Sequence, residues 1–180
     1  MIAAIRPNRQ PNLFLLSYHL PFVVTNLSVL PRRFLAEAMA VRRKPLAQTA
    51  RRAGWIGCNL DLRQIPRSAL IPRVVEGKFV AQSQIQDHWK KSEPLDQLSS
   101  TARGWAAVVL GIVERIRKPE STLQDIYEHE TRVAALFPNN RNIRPKLRQQ
   151  LQILRDAGLI TFLGAGNYAI ANLARDWIRP

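Results

Sequence analysis

The chain has 180 residues, enough for one domain or two small ones. It carries 27 Lys and Arg against 13 Asp and Glu, a formal charge of +14 that points to a polyanionic partner. A single cysteine rules out an internal disulfide framework and fits a reducing cytoplasm, and the apolar runs are too short and interrupted to span a bilayer.

The charge is unevenly spread. Residues 1–94 hold 15 basic against 5 acidic side chains, whereas residues 95–180 hold 12 against 8. Charge alone does not choose between nucleic-acid, ribosomal and membrane-surface partners. Residues 1–10 lack the unbroken apolar core of a signal peptide. Residues 13–18 (LFLLSY) and 23–30 (VVTNLSVL) read as two buried strands joined by a turn at His19-Leu20-Pro21. A short helix is predicted over residues 32–39, followed by a basic, proline-interrupted loop over 40–53. Residues 55–60 and 70–75 read as further strands. Glu76-Gly77-Lys78 is a hairpin turn into Phe79-Val80. Residues 82–91 form a helix, and the polar stretch 92–100, with Pro94, marks a boundary.

The remainder has a clearer period. Trp105, Val108, Val109, Ile112, Val113 and Ile116 recur on one helical face, and Pro119 closes that helix. Thr122 caps a second helix, with Asp125 three residues on in the capping-box position. Ile126, Tyr127, Val133, Ala134 and Phe137 form its buried side. Pro138-Asn139-Asn140 makes a turn, and Asn142 is the N-cap of a third helix that tolerates Pro145 in its first turn. Ile143, Leu147, Leu151 and Leu154 line the inside of this helix; Arg144, Lys146, Arg148, Gln149, Gln152 and Arg155 face outward. Gly158 stops it, and two short strands, residues 159–163 and 167–170, flank Gly164-Ala165-Gly166. Three helices followed by a β-hairpin is the winged-helix pattern.

Two segments suit nucleic acid. In RRKPLAQTARRAGWIGCN (residues 42–59) five basic side chains surround one tryptophan with no acid among them. Lys44, Arg51 and Arg52 can neutralise phosphates, and Gly54 is expected to leave room beside Trp55 for the indole to meet an aromatic partner. On spacing alone, a solvated loop with one anchoring tryptophan fits equally well. On the third helix Arg144, Lys146 and Arg148 can donate to guanine or to backbone oxygens, and Gln149 can pair with adenine. Asn140, Arg141 and Asn142, at its start, are placed for phosphate or base-edge contacts. His19, His88 and His129 share no metal-ligand spacing and are assigned to surface or packing roles. Trp105 is assigned to the core, Cys58 to a small buried filler, and Asp61 to an ion pair.

Three blocks in order resemble a known family: RKPLAQTARRAGWIGCNLDL (residues 43–62), SSTARGW (99–105) and KLRQQLQILRD (146–156). They are similar to the Dam-replacing, DpnI-like restriction endonucleases, and the resemblance runs from about residue 12 to about residue 170. It implies an α+β fold: a partial PD-(D/E)xK nuclease-like remnant over residues 1–94, with a methyl-sensing loop at about 42–59, then a winged helix-turn-helix over 99–170 and a tail over 171–180. Trp55 falls where the family's indole meets the methyl groups of N6-methyladenine. The implied role is recognition of adenine-methylated GATC in double-stranded DNA, by a monomer in a bacterial cytoplasm. The family's catalytic acids, its Mg²⁺ and its four-cysteine Zn²⁺ site fall upstream, so no catalytic residue, metal ligand or cofactor is expected in this chain, and the sheet is expected to expose an unpaired edge. Two alternatives stand beside this: a winged-helix transcription regulator, and an active Mg²⁺-dependent nuclease whose natural chain extends upstream.

Overall fold

A computed structural model of the chain describes residues 11–171, and its first element is a hairpin without a single Lys, Arg, Asp or Glu. Strand β1 (Leu13–His19) runs antiparallel to β2 (Val23–Leu30), from Leu13↔Leu30 to His19↔Val23. Strand β5 (Ile71–Val75) adds to the far side of β2, and β6 (Lys78–Phe79) folds back on it, giving the order β1-β2-β5-β6. Between β5 and β6 both turn residues, Glu76 and Gly77, have positive φ (49° and 76°), the geometry that matches strand twist in a two-residue hairpin.

The strands are where expected, but the hairpin is buried only at the Val29–Leu30 end of β2. Phe14, Leu16, Tyr18 and Val23 are 54–66% exposed. Among the described residues β1 pairs with β2 alone, while helix α1 (Gln82–Ser92) packs on β5. The buried sheet residues are accordingly Val29, Leu30, Ile71 and Val74.

Residues 32–39 form two 3₁₀ turns, Arg32–Phe34 and Glu37–Met39, instead of one helix. Leu35 and Ala36 between them are extended, so Phe34, Leu35, Ala36 and Met39 all reach the core without a helical repeat. Strand β3 (Ala40–Arg42) then pairs antiparallel with β4 (Cys58–Leu60). The predicted loop therefore starts three residues later than expected, and the predicted strand at 55–60 keeps only its last three residues. The stretch 92–100 is no bare boundary: a 3₁₀ turn, Glu93–Gln97, buries Leu95 completely, and Asp96 lies 3.3 Å from the buried guanidinium of Arg33.

Helix α2 (Ser100–Ile116) starts at Ser99, whose hydroxyl accepts the N–H of Ala102. Every residue from Arg103 to Glu114 is buried, so the one-face reading captured only part of it. The rest of its surface meets the first half of the chain. A Cβ built at Gly104 would stand 2.7 Å from the Cβ of Ala36. Near the other end, the buried Glu114 carboxylate accepts from the backbone N–H groups of Arg67 (2.5 Å) and Ser68 (3.2 Å) and from the Ser68 hydroxyl. Burial pushes its pKa up, and those hydrogen bonds hold it back. Arg115 donates to the carbonyl of Arg63 at 2.7 Å. One hydrophobic core thus runs unbroken from Leu30 to Ile160.

The winged helix completes the α+β fold. After α2 come β7 (Ser121–Thr122), α3 (Leu123–Tyr127), α4 (Glu130–Leu136) and α5 (Ile143–Asp156), then β8 (Ile160–Gly164) and β9 (Asn167–Ile170). The predicted second helix is broken at Glu128-His129 into α3 and α4. Its capping box is present: the Thr122 hydroxyl accepts the Asp125 N–H at 3.0 Å and Asp125 Oδ2 accepts the Thr122 N–H at 2.8 Å. Lys118, 2.6 Å away, with these bonds brings the Asp125 carboxyl down to about 2. Strand β7 pairs with β9 to give a three-stranded wing, β7-β9-β8, one strand more than expected. No helix among the described residues is long and apolar enough to cross a membrane. The tail residues Trp177 and Ile178, and the segment 1–10, lie outside the described residues.

Candidate nucleic-acid interface

The β3–β4 ladder continues into the loop it carries. Arg43 N–H donates to Gly57 O (2.9 Å), Leu46 N–H to Trp55 O (2.9 Å), and Gly54 N–H to Leu46 O (3.1 Å). These bonds fold residues 43–57 into an ordered projection whose side chains stand in water: residues 41–56 are exposed apart from Ala50. Arg42, Arg43, Lys44, Arg51 and Arg52 form no salt bridge among the described residues, so the cluster's charge is unneutralised and available to an anion.

Trp55 is 54% exposed and so is not a core ring. The glycine that seats it is Gly57, not Gly54. A Cβ at Gly57 would lie 2.9 Å and 3.0 Å from ring carbons of Trp55, whereas one at Gly54 would meet nothing within 4 Å. Gly54 instead provides the turn, with φ +75°. One side of the indole rests on the Gly57 backbone, which fixes the ring while leaving about half of it to solvent. Cys58, expected to be buried, is half-buried because β4 is one strand of a two-stranded ribbon. Asp61 holds Arg63 at 2.8 Å and also caps the turn Leu62–Gln64.

The second surface is α5. Ile143, Leu147, Leu151 and Leu154 are buried on one side, and Arg144, Arg148 and Gln149 are exposed on the other, with Lys146 half-buried. The stripe was legible, but the partners of the polar residues were not. Arg144 Nε donates to Glu130 Oε2 (2.7 Å), Arg148 Nε donates to the Tyr127 hydroxyl, and Lys146 Nζ donates to Gln149 Oε1 (2.7 Å). Arg144 and Arg148 also lie over the Tyr127 ring, at 5.0 Å and 5.6 Å. Lys146 stands 6.0 Å from the ring of Trp105, which is 2% exposed and stacks on Phe137 at 3.9 Å. Asn142 occupies the N-cap position, yet its side chain caps nothing; Asn140 Oδ1 accepts the Asn142 N–H at 2.8 Å and so shapes the turn into the helix. Arg141 is exposed beside it.

Sequence reasoning missed Tyr127 and Glu130 in this surface. Tyr127 does lie on the buried side of its helix, but its hydroxyl end comes up beneath two arginines. At the wing turn Gly164, Ala165 and Gly166 all have positive φ (93°, 49°, 80°), the conformation of a tight hairpin rather than a phosphate-cradling loop. The four-thiolate Zn²⁺ site of the resemblance does not fit the donors present. The sequence has one cysteine, and no group of three or more His, Cys, Asp or Glu able to hold a metal ion occurs among the described residues.

The model of the Dam-replacing family matches residues 1–98, and that of the Dam-replacing helix-turn-helix domain matches residues 101–169.

Proposed function

The chain belongs to the Dam-replacing family and carries its DNA-binding helix-turn-helix domain, and from that footing we propose that it recognises GATC sequences bearing N6-methyladenine, as the recognition part of a methyl-directed restriction endonuclease. Helix α5 would enter the major groove, with Arg144, Arg148 and Gln149 at base edges, Lys146 and Arg141 at the backbone, and Asn140 and Asn142 shaping the approach. Arg51, Arg52 and Lys44 would hold phosphates beside the second surface.

The observation that carries the methyl reading is the exposed indole of Trp55, seated on Gly57 inside a basic loop that forms no ion pair among the described residues. A methyl group buried against such a ring gains about 0.8 kcal/mol, and the two methyls of a palindromic site about twice that. Such a gain favours modified DNA by roughly 15-fold, which is modest, so stronger discrimination needs both surfaces. The test is a titration of methylated and unmodified GATC duplexes with the chain and with Trp55→Ala, at one fixed salt concentration. The parent chain is expected to prefer the methylated duplex, and the variant to lose much of that preference. Equal affinity of the parent for both duplexes would overturn the proposal.

A further inference from the structure

On the reading that α5 contacts DNA, the partners of its two exposed arginines decide how they are aimed. Arg144 and Arg148 are one turn apart, and each is engaged through Nε alone, by Glu130 and by the Tyr127 hydroxyl respectively. Both guanidiniums lie on the Tyr127 ring. That ring is itself buried, with 9% exposure, at the end of α3, so it is a fixed platform. A guanidinium held at Nε keeps its two terminal nitrogens as a fork, the donor pair that a guanine edge accepts. Free arginines would spend rotamer freedom to reach that geometry and would serve a phosphate equally well.

We infer that Tyr127 and Glu130 are positioning residues that bias Arg144 and Arg148 toward base edges and away from indiscriminate phosphate binding. Tyr127 acts by orientation. Glu130 acts in two ways: it orients Arg144, and its carboxylate, 36% exposed beside the helix, repels phosphates that would otherwise attract Arg144. The pair is exposed and opens easily when a correct site is offered.

The experiment measures affinity for a methylated GATC duplex and for a scrambled duplex across a salt series, using the parent chain, Tyr127→Phe, Glu130→Ala, Glu130→Gln, and Arg144→Ala with Arg148→Ala. Tyr127→Phe keeps the ring, and its fold is checked by thermal melting. It should lower affinity for the site roughly three- to tenfold and leave the scrambled duplex unchanged. Glu130→Ala should lower site affinity, raise scrambled affinity, and steepen the salt dependence for the scrambled duplex by about one phosphate contact. Glu130→Gln, which can still accept from Nε, should recover the site affinity but not the salt dependence. If Tyr127→Phe and Glu130→Ala change both affinities equally, or not at all, while the double arginine variant loses the site, Tyr127 and Glu130 are not positioning residues. If the arginine variant itself binds as the parent does, the role of α5 in reading DNA fails, and this inference with it.

Discussion

Adding one methyl at Gly57 moves the indole of Trp55 without deleting it. In Gly57→Ala the new carbon would stand 2.9–3.0 Å from two ring atoms, with Arg43 Cδ at 3.6 Å on another side. Carbon atoms settle at about 3.5–4.0 Å, so the ring must retreat by roughly 0.5–1 Å, which forfeits about a quarter to a half of a contact optimised for the original position. Applied to a gain of about 1.6 kcal/mol for two methyls, that leaves about 0.8–1.2 kcal/mol. On the proposed methyl reading, the preference for methylated over unmodified GATC should therefore fall from about 15-fold to about 4- to 8-fold. Stability should hardly change, because the loop is exposed and alanine restricts the unfolded chain as well. Fluorescence anisotropy titrations of the two duplexes, with a thermal melt as control, measure both quantities. An unchanged preference in Gly57→Ala would show that the seat of the indole is irrelevant to methyl reading.

The other expectations concern the frame. Gly104→Ala gains about 0.8–1 kcal/mol of helix propensity but forces a methyl against Ala36, a clash of about 1–3 kcal/mol, so urea unfolding should show little change or a loss of up to about 2 kcal/mol. Adding Ala36→Gly should restore room and give a favourable coupling of about 1 kcal/mol or more; a Gly104→Ala chain about 1 kcal/mol more stable than the parent would mean that the two surfaces do not touch. His88 is 4% exposed, and burial, with Lys91 nearby, lowers its pKa to about 4. The unfolded chain then binds more protons between about pH 4 and 6.5, so stability is full above that window and falls as pH drops through it, by about 2 kcal/mol at pH 5. His88→Gln should flatten that part of the pH–stability curve, and an identical curve would remove His88 from the account.

Local signals were legible where a residue's own chemistry decides its conformation. The capping box at Thr122 and Asp125, the turn at Glu76-Gly77, and the leucine stripe of α5 all depend on neighbours within a few residues. What stayed hidden depends on distant partners. Residues 32–39 carry an apolar pattern that suits a helix, yet Ala36 must lie extended to fit against Gly104. Strand β7 is only two residues long and exists because β9 pairs with it. The seat of Trp55 on Gly57 and the Tyr127 platform likewise join positions that no periodicity connects. The charge distribution marked the basic loop at residues 42–52, but not which arginines elsewhere already have partners.

The carboxylate of Glu114, out of water and clasped by the 67–68 backbone, belongs to the same helix whose opposite end stacks Trp105 on Phe137 behind α5. One continuous core therefore joins the body that carries the indole-bearing loop to α5. If both surfaces hold one duplex, as proposed, a duplex long enough to reach both engages them together, whereas a shorter oligonucleotide meets one at a time. Affinity should accordingly climb in a step, and not gradually, as the flanks of the target are lengthened.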